Sequence, residues 1–221
     1  MCNLAAMRIL FIIDHPYTGS YSHALLGSAV AGARSAGHNI DVIDLAADCF
    51  DPAMSVEELS SWRSGMSVDP RVLDYQDRLL LADHVAFVFP IWWMNVPART
   101  KGFVDKVLLP GVAYDEPKPG GRLVGRLTRL KSVTLMTVST TPTVWYRLLF
   151  RRPAAAAMLK GTFGLLGIRR LKWLSHGGIS TSTPARREAW LDRATLHFRS
   201  LEPARNTRGG SLDRLAGARR A

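Results

Sequence analysis

The chain has 221 residues, 47% of them hydrophobic, and carries 29 Lys and Arg against 18 Asp and Glu, a formal net charge of +11. That length suits one α/β domain with a real core and is short for two, and the composition excludes a disordered chain. Cys2 and Cys49 show no metal spacing, so they give neither a disulfide framework nor a metal site and point to reduced thiols in a cytoplasmic protein.

The run Arg8 to Ile13 is short and continuously apolar, which predicts a first, buried strand. It runs into Asp14-His15-Pro16 without a small-residue cleavage site, so it does not read as a secretion signal, and Met7 reads as an alternative native start preceded by a disordered lead. A hydroxyl-rich turn follows through His23, then a helix over Ala24 to Ala36 stopped by Gly37. Asn39 to Leu45 predicts a second strand, completing a right-handed βαβ unit. Residues 46 to 68 read as a loop with one helical turn near Ser55 to Leu59. Asp69-Pro70 opens a helix through Ala82 with Val72, Tyr75, Leu79 and Leu80 on one face.

Val85-Ala86-Phe87-Val88 predicts the central strand, and a helix runs from Pro97 to about Leu109. The stretch from Leu79 to Val96 contains Asp83 and His84 and is no bilayer span. After a turn region from Pro110 to Gly121, Ser132 to Val138 is a fourth strand. A helix covers Pro153 to Leu166, an alternating fifth strand at the sheet edge covers Ile168 to Leu174, and a last helix covers Pro184 to Leu201. Five strands alternating with helices imply an α/β, doubly wound parallel sheet. The expected organisation is one domain over 1–201 and a basic, disordered tail over 202–221.

Three strand-to-helix turns carry the chemistry. After the first strand, Ser20, Tyr21 and Ser22 stand at a helix mouth, where free amides and the helix dipole favour an anion such as a phosphate ester. A serine there also serves simply as an N-cap. The turn lacks G-x-G-x-x-G, so a dinucleotide fingerprint of the Rossmann kind is absent. After the central strand, Phe89-Pro90-Ile91-Trp92-Trp93-Met94-Asn95 places two adjacent tryptophans where open α/β sheets bind ligands. Neighbouring strand side chains alternate, so both cannot face one core. An isoalloxazine ring wants an aromatic wall, here Trp92, Trp93 and Met94, and backbone donors, here the amides of Trp93 to Asn95. The same aromatics equally suit a core or a dimer interface. After the fourth strand, Ser139, Thr140 and Thr141 let the backbone approach a ligand, with Trp145 or Tyr146 on the other side.

The series His15-Pro16, Ser20-Tyr21-Ser22, Phe89 to Met94, Pro97-Ala98, Lys101 to Val107 and Gly111-Val112-Ala113-Tyr114, in that order, resembles the flavodoxin-like NAD(P)H:quinone oxidoreductases. That family includes DT-diaphorase and the ancillary subunits of glutathione-gated potassium efflux systems. The resemblance implies a flavodoxin-like sheet of strand order 2-1-3-4-5, a non-covalent flavin (FMN or FAD), NAD(P)H as electron donor and a quinone or similar acceptor. It also implies phosphate contacts at Ser20 to Ser22, ring contacts at Pro90, Ile91, Trp92, Trp93 and Met94, contacts near Ser139 to Thr141, and a homodimer with sites at its interface. Two positions depart from the family pattern. Thr141-Pro142 stands where a pair of glycines is usual, and Arg152 stands six residues after Tyr146 where DT-diaphorase has a histidine. Tyr146 and His15 are the candidate hydrogen-bond partners of a reactant, with His176 expected on another loop.

The implied activity is two-electron hydride transfer from NAD(P)H through the flavin to the acceptor. The rival is a flavin-bearing regulatory subunit of a membrane potassium-efflux transporter, docked at the cytoplasmic face of the membrane. A one-electron flavodoxin shuttle fits poorly, because such shuttles are acidic. The basic clusters lack a groove-reading motif, which argues against nucleic acid. Arg147, Arg151 and Arg152 suit either nucleotide phosphates or a solvated face.

Overall fold

The computed structural model describes residues 6–203; Cys2 and all but the first two residues of the expected basic tail lie outside the described residues. In chain order the elements are β1 (Arg8–Ile13), α1 (Tyr21–Ser35), β2 (Asn39–Asp44), α2 (Val56–Ser61), α3 (Pro70–Leu80), β3 (His84–Pro90) and α4 (Ala98–Val107). They continue with β4 (Tyr114–Asp115), β5 (Val124–Gly125), β6 (Ser132–Ser139), α5 (Thr143–Leu148), α6 (Pro153–Ala156), β7 (Arg170–Gly177) and α7 (Pro184–Arg199).

The five long strands form one parallel sheet in the order β2-β1-β3-β6-β7. Counting only these strands, this is the order 2-1-3-4-5, so the fold is the flavodoxin-like α/β sheet that the sequence predicts. Every residue of β3 is buried, as expected of a middle strand covered on both faces. Strand alternation divides the core into two layers. Leu10 and Ile12 pack with Phe87, Phe103 and Phe163 on one face, whereas Ile9, Phe11 and Ile13 pack with Val88 and Phe198 on the other.

Local signals account for where the helices begin. Ser20 caps α1, Ser55 and Glu58 form a capping box on α2, and Asp69-Pro70 and Thr183-Pro184 open α3 and α7. Because Ser20 is the cap, α1 starts earlier than the apolar periodicity predicts. There are four further differences. The expected helix from Pro153 keeps α-helical bonding only to Ala156 and then runs as a π-helix over Ala157–Gly164. The six residues of α5 are too few to show a helical period and read as turn. The two-residue strands β4 and β5 form a separate antiparallel ribbon below the reach of any pattern. Leu80 is exposed rather than on the buried face of α3, which is made by Val72, Tyr75, Gln76 and Leu79.

Candidate functional site

Parallel pairing brings the carboxyl ends of β1, β3 and β6 to one edge. Ile13 is level with Val88, and Pro90 with Val138. The pairing continues past the strands: Asp14 N–H donates to Val88 O at 3.0 Å and Ile91 N–H to Val138 O at 2.7 Å. The three turns therefore leave the sheet side by side at its switch point, where such sheets bind ligands.

In the β1–α1 turn, Ser20 Oγ accepts from His23 N–H at 3.3 Å and Ser20 N–H donates to Tyr17 O at 3.1 Å. Ser22 is buried, and Tyr21 turns toward α7, its hydroxyl donating to Arg187 O at 2.6 Å beside Trp190 and His176. Burial pushes the Tyr21 phenol up to about 12. Two of these three side chains are thus engaged and the third is interior. What the turn offers an anion is backbone: the amides of Tyr21 and Ser22 take no part in any hydrogen bond among the described residues, and the first turn of α1 holds no acid. His15 Nδ1 accepts from Tyr17 N–H at 3.1 Å, and its ring lies 6.4 Å from that of Trp92. Burial, then the charge of His23, lowers the His15 pKa below the usual value.

The β3–α4 turn is a tight two-residue reversal. Trp92 and Asn95 exchange both backbone bonds, at 3.1 and 2.9 Å, across Trp93 and Met94. Both central residues have positive φ, 49° and 62°, the geometry that Asn-Gly normally supplies. Holding an L-residue in that region costs roughly 1–2 kcal/mol. The result is display: Trp92 is 47% exposed and Trp93 99% exposed, so neither is sealed in the core. The amide of Asn95, expected to be free for a ring edge, is instead bonded to Trp92 O, because it closes the turn. The amides of Trp93 and Met94 remain without a partner among the described residues. Pro90 is buried at the strand end and Ile91 half-buried.

In the β6–α5 turn, Ser139 is buried with its hydroxyl donating to Thr141 O at 2.8 Å, Thr140 is exposed and Thr141 half-buried. A Cβ on Gly177 would stand 2.5 Å from Thr143 N and 2.6 Å from Thr141 O, so glycine is what lets β7 pass this loop. Tyr146, expected to face a reactant, is 1% exposed. Its hydroxyl donates to Met94 O at 3.3 Å and accepts from Ala154 N–H at 3.0 Å. Burial raises its pKa, which keeps it neutral and able to donate. His176 is not on a loop but inside β7. One ring nitrogen meets Thr137 O at 3.1 Å, its Nε2 has no partner, and burial pushes its pKa down to about 4.

One residue that the sequence reading passed over ties two of the turns together. Buried Asp14 accepts from both Thr100 N–H, at 2.8 Å, and Thr100 Oγ, at 2.9 Å. Pro97 gives α4 no side-chain cap, so the carboxylate of another element supplies it. A lone acid at the end of an apolar strand was the available signal.

The arrangement is one anion-accepting helix end, one pair of free amides and a displayed aromatic pair, gathered at one sheet edge. These features fit a flat, phosphorylated ring system such as a flavin. Among the described residues no group of three His, Cys, Asp or Glu gathers to hold a metal.

The family described as Flavodoxin-like fold matches residues 7–201, and the chain belongs to it. The resemblance to its flavodoxin-like NAD(P)H:quinone oxidoreductases, expected from the sequence, holds. An uncharacterised NAD(P)H oxidoreductase of Haemophilus influenzae is 27% identical over 189 residues, covering 85% of this chain and 92% of that protein. The ribosyldihydronicotinamide dehydrogenase [quinone] of Pongo abelii is 29% identical over 149 residues, 59% of this chain and 64% of its own length. In structure, the NAD(P)H:quinone oxidoreductase of Methanothermobacter marburgensis superposes with a TM-score of 0.78 at 26% identity, covering 90% of this chain and 97% of that one.

Proposed function

We propose that the chain is a flavin-dependent NAD(P)H oxidoreductase that passes a hydride equivalent from NAD(P)H to a quinone or similar acceptor. The observation that carries this reading is the strained Trp93-Met94 turn. A pair of bulky residues in a glycine-type conformation persists where the surroundings enforce it, and such turns cluster at ligand sites. Here the Tyr146 hydroxyl bonds the Met94 carbonyl, and the turn leaves two amides unpaired among the described residues and both tryptophans exposed at the sheet's switch point. A bound isoalloxazine would supply the hydride chemistry, accepting from the nicotinamide and donating to the acceptor in turn.

The residues of the chain bind and orient. The amides of Tyr21 and Ser22 would hold the ribityl phosphate, with Ser20 fixing the helix end. The amides of Trp93 and Met94 would meet the polar ring edge and favour the negative charge of reduction. Trp92, with His15 beside it, would pack on the ring, and Ser139 to Thr141 would close the opposite side. Tyr146 acts on this reading as a positioning residue. The likeness to relatives named as NAD(P)H oxidoreductases and quinone reductases supports the donor and the acceptor class. We further infer a cytoplasmic homodimer.

The test is to purify the protein, record its absorbance, release and identify the flavin as FMN or FAD, and add NADH and NADPH anaerobically, followed by a quinone. Bleaching by a nucleotide and recovery with the quinone is expected. A colourless protein that takes up neither flavin refutes the proposal. Bound flavin bleached by neither nucleotide would instead favour the regulatory-subunit reading.

A further inference from the structure

We propose that α5 and the cations around it form a docking surface for an anionic lipid bilayer. Tyr146 anchors this short helix inward, whereas Val144, Trp145 and Leu148 on it and Leu149 and Phe150 just after it are all exposed, Leu148 by 79%. Contiguous apolar surface of this kind on a folded element marks an interaction site. Two grooves flank the helix. One, of about 560 Å³, is lined by Arg147, Lys172, Arg193 and Arg199. The other, of about 610 Å³, is lined by Arg147, Arg151, Arg152, Lys160 and Arg169. No acid lines either groove. None of these cations ion-pairs among the described residues, whereas Arg78, Lys106 and Arg129 elsewhere have carboxylate partners.

The charge selects the occupant. Across a two-fold axis a second copy would set this unpaired positive rim against itself. A nucleic acid would match the charge but leave the aliphatic crest in water. An anionic bilayer answers both, taking the apolar side chains below its headgroups and the cations at them, with Trp145 suited to the boundary. α5 follows directly from the Ser139–Thr141 turn, so docking would turn that turn toward acceptors dissolved in the lipid. This last consequence rests on the proposed oxidoreductase reading; the docking itself does not.

Full-length protein is floated with phosphatidylcholine vesicles with and without about 30% phosphatidylglycerol, at low and high salt. Binding is expected to the anionic vesicles only, and to fall with salt. Each basic residue near the surface raises partitioning about five-fold, so the double variant R151Q/R152Q should bind about 25-fold more weakly. L148S/L149S, with unchanged charge, should lose about tenfold or more. Quenching of tryptophan fluorescence by brominated lipid should drop in Trp145→Phe. No binding to anionic vesicles, or wild-type binding by both double variants, overturns the proposal. So does quenching unaltered by Trp145→Phe, or a dimer that L148S/L149S converts to monomer. No flavin or nucleotide enters these measurements, so failure here is distinct from failure of the proposed activity.

Discussion

Replacing Tyr146 with Phe separates a clamp from a catalyst. The hydroxyl stands between Ala154 N–H and Met94 O, at 3.0 and 3.3 Å, and is the link between the β3–α4 turn and the start of α6. Phenylalanine fills the same volume, so packing against Trp173 is kept while a buried donor and the Met94 carbonyl lose their partner. Leaving a buried group unsatisfied costs about 1–3 kcal/mol. The turn it braces already holds two L-residues at positive φ, each at roughly 1–2 kcal/mol, so loss of the brace lets the turn relax toward ordinary backbone. Urea unfolding should therefore show a loss of about 1–3 kcal/mol, and a fluorescence titration should show weaker flavin binding, by about tenfold if 1.4 kcal/mol of the loss is expressed in the turn. If Tyr146→Phe unfolds and binds flavin like the wild type but turns over far more slowly, the reasoning is wrong and the hydroxyl serves a reactant directly.

Trp93→Gly should stabilise the protein by about 1 kcal/mol, because glycine accepts the φ of 49° and the fully exposed indole contributes no packing; flavin or nucleotide binding should weaken in the same variant. A stability loss on urea unfolding would contradict the strain argument. Gly177→Ala should destabilise by about 1–3 kcal/mol and displace the β6–α5 turn, since the new methyl meets backbone on both sides; an unchanged melting temperature would contradict this. Burial lowers the pKa of His84 to about 3 and those of His176 and His197 to about 4. Below the ordinary histidine value of 6.5 the unfolded chain binds protons that the folded one refuses, so stability is full above that pH and falls from there toward pH 4. Urea midpoints should drop steadily between about pH 7 and pH 5, and His84→Asn should flatten the slope.

Much of the fold was open to reading because its signals are local and repeated. The apolar runs at Arg8 to Ile13 and Val85 to Val88, and the serine, aspartate and proline caps of α1, α2, α3 and α7, each state their element within a few residues. The candidate site was readable as three turns, and the sheet does bring those chain crossings side by side. What each side chain does there was less accessible. That Ser22 points inward and Tyr21 toward Arg187 depends on α7, more than 160 residues away in the chain. The engagement of Tyr146 with Met94 and the cap that Asp14 gives α4 are likewise contacts between distant segments. The positive φ of Trp93 and Met94 contradicts their residue types, so no propensity could have announced it. β7 lies at residues 170–177 rather than 168–174 because its end is set by Gly177 and the loop it passes, and that moves His176 from a loop into the interior.

The central place of β3 constrains how the chain is made as well as how it works. During synthesis β1, α1 and β2 emerge together and can pair, yet β1 keeps one flank open until residues 84–90 arrive, and β3 then waits for β6 at residues 132–139. Nascent or truncated chains ending between those points present a largely apolar strand, which the finished fold buries throughout, with unmet hydrogen bonds, the kind of edge that recruits other chains. Premature termination inside that interval thus yields aggregation rather than a smaller working domain.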